Sequence, residues 1–143
     1  MNILQIAILV FAVIELGNVL MLYFKPGTRL ANGVGVFNAY ERSKLDPTVH
    51  DFVKYLIWWV AGAKLIFILI AVVVIAWGSE LVQILTVGAL ILSILSFFWR
   101  LLPMIRKMDK QGEITPKGYS KTLAAMICVF VLGFTAVLII ALV

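Results

Sequence analysis

Two charged side chains stand where charge is costly. Glu15 lies near the middle of the apolar run Ala7–Tyr23, which also carries Asn18, and Lys64 lies near the middle of a second apolar stretch. An ionised group at the centre of a membrane-spanning helix costs roughly 2.5–3.5 kcal/mol on insertion scales, so each of these residues needs a partner or a purpose. If the two stretches run antiparallel, both charges fall near the bilayer midplane, and Glu15–Lys64 is the expected contact. Such a pair has two uses: it lines or gates a path for an ion or small solute, or it holds two helices in register.

A third apolar stretch carries Gln83, Thr86, Ala89, Ser93, Ser96 and Arg100. On a helix these fall within a sector of about 140°, the most continuous polar stripe in the chain. It serves either interhelical hydrogen bonding, at about 0.6 kcal/mol per bond, or a solvated pathway with Arg100 at its mouth. Other chemistry is scarce. Cys128 is the sole cysteine and His50 the sole histidine, so no disulfide and no Cys- or His-cluster metal site is expected. Within its apolar run Cys128 reads as a small packing residue. No HExxH, nucleophile-elbow or Walker pattern occurs, and Gly33-Val34-Gly35 has no strand before it to make a phosphate loop. No catalytic residue, metal or cofactor is expected, and a membrane enzyme is the least supported class.

The elements that must position these groups follow from composition. The chain has 143 residues, 64% of them hydrophobic, against about 45–50% in soluble domains. Four spans of about 20 residues and their loops use nearly all of it. The expected fold is all-α: a polytopic membrane protein whose single domain is a four-helix bundle of two consecutive hairpins. The spans are expected at about 2–24, 47–77, 81–102 and 116–143, with basic loops at 25–46 and 103–115.

In the first span Gln5, Ile8, Ala12, Glu15 and Val19 share a face, with Asn18 at its edge, and this face should meet protein. Lys25-Pro26-Gly27 ends that span. Residues 36–45 form either a short interfacial helix or a solvated loop; as a helix, Phe37 and Tyr40 would turn to lipid headgroups, Arg42 and Lys44 to phosphates. Asp46-Pro47 and Thr115-Pro116 each read as a cap followed by proline at the first helical position. Gly78-Ser79-Glu80 is short enough to force an antiparallel hairpin, and Pro103 should kink the end of the third span.

The net charge of +5 does not point to nucleic acid, because the bases flank the apolar segments as topology signals do. Lys25, Arg29, Arg42 and Lys44 lie in the first long loop; Arg106, Lys107 and Lys110 lie in the second, with Lys117 and Lys121 just beyond it. The short turn and the C-terminus carry no base. Both long loops are therefore expected in the cytoplasm, where anionic lipid headgroups are their natural partners, with both termini outside a plasma or inner membrane.

The apolar run into Glu15 and the later Thr28-Arg29-Leu30 resemble the small multidrug resistance exporters, over about the first 30 residues. That resemblance implies a four-span exporter with an essential glutamate in its first span, at the place of Glu15. The chain departs from the pattern in its long basic first loop, in its unbalanced loop charges, and in Lys64, which supplies Glu15 with a resident counter-ion. Three readings follow: an oligomeric transporter or channel for an ion or small solute, a non-transporting membrane subunit or assembly factor in which Glu15–Lys64 is structural, and an exporter of the resembled kind. The polar stripe together with the buried charges favours the first. Four helices hardly enclose a path alone, so several copies or a membrane complex are expected.

Overall fold

Asn2 opens the first helix with a reciprocal cap: its side chain accepts from the Gln5 N–H, and the Gln5 side chain accepts from the Asn2 N–H. The computed structural model describes residues 1–143 as an all-helical chain without strands. Its helices are α1 (Ile3–Phe24), α2 (Asn38–Ser43), α3 (Pro47–Trp77), α4 (Glu80–Leu95), α5 (Leu101–Lys110) and α6 (Tyr119–Leu142). Helices α1, α3 and α6, and the run Glu80–Lys110 that contains α4 and α5, are long and apolar enough to cross a membrane.

Asp46 caps α3 as its spacing from Pro47 implies, accepting from the N–H groups of Thr48 and Val49. The other proline signature behaves differently. Helix α6 begins at Tyr119, not at Pro116, because Thr115 is engaged elsewhere: its N–H donates to Val36 O and its hydroxyl to Asn38 Oδ1. The start of α6 is held instead by Asp109, which accepts from Gly118 N–H, Ser120 N–H and the Ser120 hydroxyl. The helix of the third span is also interrupted before 102, although the run Glu80–Lys110 as a whole is long and apolar enough to cross a membrane. Helix α4 stops at Leu95, a 3-10 turn covers Ser96–Phe98, and α5 restarts at Leu101. Pro103 explains the break, since its ring and missing N–H forbid a helical bond to the carbonyl of Trp99. Within the first turn of α5 the missing N–H costs nothing.

Helix α1 packs against α3, α4 and α6, whereas α3 and α6 make no close backbone approach. Its buried face carries Leu4, Ile8, Ala12, Asn18, Val19 and Leu22, while Val10, Val13, Ile14 and Leu20 are exposed. On α3 the buried face is Ile57, Ala61, Ile68 and Ala71. The two alanines let the α1 and α3 backbones come close. Cys128 is exposed, which corrects its reading as a packing residue: α6 turns Phe130 and Phe134 inward, and Cys128 lies on another side of the helix.

The two long connections meet at one end of the bundle. Phe37 and Ile114 form an isolated antiparallel bridge, Asn38 N–H donates to Glu113 O, and Asn38 Nδ2 donates to Gly112 O at 2.9 Å. Arg42 pairs with Glu113 and Lys44 with Glu41. Val36, Ile105 and Ile114 form a small second core beneath them. Residues 36–45 are thus partly helical and tied into the protein by their own contacts. Tyr40 is buried against His50, Phe37 is bridged, and both bases have carboxylate partners. The hydrogen bond to Glu113, and next its charge, hold Arg42 above the ordinary guanidinium range. Gly33-Val34-Gly35 has a packing role: a Cβ on Gly35 would run into the carbonyl oxygen of Gly27, so only glycine lets the loop fold over itself there.

Bridged residues have Cα atoms about 4.5–5.5 Å apart, within disulfide reach. Phe37→Cys with Ile114→Cys, in a Cys128→Ser background, should therefore cross-link within one chain under mild oxidation. Peptide mass mapping reads this out; failure to form the 37–114 linkage would contradict the clasp.

Candidate functional site

Glu15 is brought to the site by the α1 register and Lys64 by that of α3. Lys64 Nζ donates to Glu15 Oε2, and Asn18 Nδ2, one turn along α1, donates to Glu15 Oε1 at 3.0 Å. Both carboxylate oxygens thus have donors. The pair is not sealed, for the Lys64 side chain retains 27% of its accessible surface and that of Glu15 15%.

The exposure faces a cavity of about 730 Å³ between α1, α3, α4 and α6, within the about 300–1,000 Å³ typical of small-molecule sites. Glu15, Asn18, Lys64 and Ser93 supply its polar wall; Phe11, Phe67, Leu90, Ile94, Met126 and Phe130 supply much of the apolar one. Along α1 it extends from Phe11 to Met21, about 15 Å at helical rise. Ala31, Asn32 and Tyr119 border it at the end where the long connections lie. At the other end Phe11 makes edge-to-face contacts with Phe67 at 6.1 Å, Phe130 at 6.0 Å and Phe134 at 5.5 Å. That cluster closes the gap between α3 and α6.

The polar stripe of the third span does not act as one surface. Gln83 is buried at the far end, accepting from Asn2 Nδ2 at 2.8 Å and donating to Gly78 O at 2.8 Å. Gln5 Nε2 donates to Ile75 O beside it. Thr86 is half-buried and donates to Val82 O in the preceding turn. Ser93 borders the cavity, whereas Ser96 is exposed and donates to Ser93 O. Arg100 lies beyond the helix break, exposed over the Trp99 ring. Val87 and Leu90 hold the inward sector of α4, and hydroxyls that bond to their own helix need no partner across it. Of the eight polar candidates, Glu15, Asn18, Lys64 and Ser93 converge, and Gln83, Thr86, Ser96 and Arg100 do not.

Nothing in the sequence marks the aromatic end of the cavity, because Phe11, Phe67 and Phe130 sit in apolar runs like their neighbours. Gly17 was equally silent. It borders the cavity, and a Cβ added there would meet no atom within 4 Å.

Glu15→Gln and Lys64→Met should each destabilise the protein, and the double variant should recover most of the loss. Because the cavity wets the pair, the coupling should lie at about 1–3 kcal/mol, below the 3–5 kcal/mol of a sealed pair. A double-mutant cycle on unfolding in mixed micelles measures it, and additive losses would show that the side chains do not meet.

No known protein family, curated protein or solved structure matches this chain.

Proposed function

We propose that this protein spans a plasma or inner membrane four times and carries a small amphipathic solute, with Glu15, Asn18 and Lys64 receiving the solute's polar end. The supporting observation is the cavity that reaches all three groups between largely apolar walls. An inorganic ion would find few ligands there. A solute with an apolar body and a polar head matches both the walls and the paired charges, which together present a donor and an acceptor. The extensive exposed apolar surface of the four long helices supports insertion. The loop bases support a cytoplasmic clasp, placing the cavity mouth on the cytoplasmic side and both termini outside. Passage then requires the Phe11 cluster to part, or a second copy to complete the path, and a homo-oligomer is part of the proposal.

A second reading, a non-transporting membrane subunit, draws on one observation: the ion pair is direct and Asn18 completes it, as a register-fixing device would. Gly17→Leu separates the two readings. The position borders the cavity and a Cβ there meets no atom within 4 Å, and losing a mid-helix glycine favours α1 by up to about 1 kcal/mol. Efflux of dansyl-labelled amphiphiles with cationic, zwitterionic or anionic heads from proteoliposomes should fall sharply for at least one head type, with assembly and melting temperature kept. Efflux equal to that of protein-free vesicles in the unsubstituted protein would remove the transport reading. Ser93→Leu should act in the same direction.

Sidedness is tested by single cysteines at Ala39, Gln111 and Glu80 in a Cys128→Ser background. An impermeant thiol reagent applied to intact cells should label position 80 alone. Labelling of 39 and 111 with 80 protected would reverse the orientation.

A further inference from the structure

A second cavity, of about 600 Å³, lies where α5 meets the start of α6, and no hydrophobic residue lines it. Arg106 and Lys110 stand one turn apart on α5, and Lys117 and Lys121 flank the first turn of α6. These four cations have no carboxylate partner, although Arg42, Lys44, Lys54 and Lys64 are all paired. The one acid in the cavity wall is Asp109, and both its oxygens are committed: Oδ1 to Gly118 N–H, Oδ2 to Ser120 N–H and the Ser120 hydroxyl. Four cations against one carboxylate leave a formal charge of +3 around one polar hollow. Like charges gathered this closely repel one another, and a polyvalent anion relieves the repulsion. The guanidinium supplies a planar fork for two oxygens of one group, and the ammoniums supply freely turning donors.

We infer that Arg106, Lys110, Lys117 and Lys121 form a binding site for a doubly charged phosphoryl group, a phosphomonoester carried either by a lipid headgroup or by a soluble molecule. Asp109 takes no part in binding the anion; it ties α6 to α5 and so sets the spacing of the four bases. The site is separate from the Glu15–Lys64 cavity, and it stands whether or not that cavity carries a solute.

The full chain in detergent is incubated with an equimolar mixture of phosphatidylcholine, phosphatidylglycerol and phosphatidate, and retained lipid is read by native mass spectrometry. In parallel, its melting temperature in phosphatidylcholine nanodiscs is followed against inorganic phosphate, with chloride at matched ionic strength as control. The lipid form of the site retains phosphatidate about tenfold over phosphatidylglycerol, the worth of one charge-assisted bond; the soluble form raises the melting temperature with phosphate and not with chloride. In either form the effect is lost in Arg106→Gln/Lys121→Gln, whose side chains have no partner that folding needs, and kept in Lys25→Gln/Arg29→Gln, which removes equal charge elsewhere. Lipid retention that follows charge alone with no phosphate shift, or an effect equal in both double variants, overturns the site.

Discussion

The contact between Glu15 and Lys64 sets the terms for the rest of the molecule. A charge in the middle of an apolar helix must be answered, and only one opposite charge lies at matching depth on another long helix. Meeting it fixes the register of α1 against α3 to within about one turn, since a shift of that size, about 5.4 Å, would carry the two groups out of reach. Asn18 completes the carboxylate, and the close packing through Ala12, Ala61 and Ala71 follows in the same register. With α3 committed to α1, helices α4 and α6 cover the remaining buried surface of α1. The gap left between α3 and α6 becomes the cavity.

Polar ties hold both ends of this frame. At the end with the termini, Asn2 and Gln5 join α1 to Gln83 and to the last turn of α3. At the other end the two long connections clasp through Asn38, Thr115 and the Arg42–Glu113 pair. Between them the walls of the cavity are held by the Glu15–Lys64 pair, by apolar packing and by the rings around Phe11. Rings in edge-to-face contact turn or part at small cost beside the breaking of several hydrogen bonds, each worth about 1 kcal/mol. Movement in this protein is therefore expected at the aromatic cluster and not at the clasp.

The proposed division of labour among the bases follows the same logic. Arg42 and Lys44 of the first connection and Lys54 and Lys64 of α3 are consumed by intramolecular pairs. Those around the α5–α6 junction are left free, because Asp109 faces the backbone of α6 and gives them no partner. One carboxylate turned inward thus leaves an electropositive hollow that a count of charges along the chain does not reveal.

Much of this architecture was legible in the residues alone. Long apolar runs, the Asp46-Pro47 cap and the three-residue turn at Gly78 specify where helices lie, because these signals act over one or two turns. The partnership of Glu15 and Lys64 was legible too, since an uncompensated charge admits few answers. Thr115-Pro116 misled, as the threonine had a stronger use in the clasp than at a helix start. The Gln83–Ser96 stripe is divided: Gln83 bonds across to Asn2 and Ser93 reaches the cavity, while Thr86 and Ser96 bond within their own helix. Angular position on a helix does not say which sector faces a neighbour, and hydroxyls satisfied within their own turn exert no pull. What sequence by itself determined was the helical inventory and the need to pair two charges, both consequences of local geometry and of the cost of charge in apolar surroundings. Only the tertiary structure decided that the pair borders a cavity, that four phenylalanines close one end of it, and that the two basic connections lock together. Those outcomes depend on which helix faces are left uncovered once α1 has been packed, and no single segment carries that information.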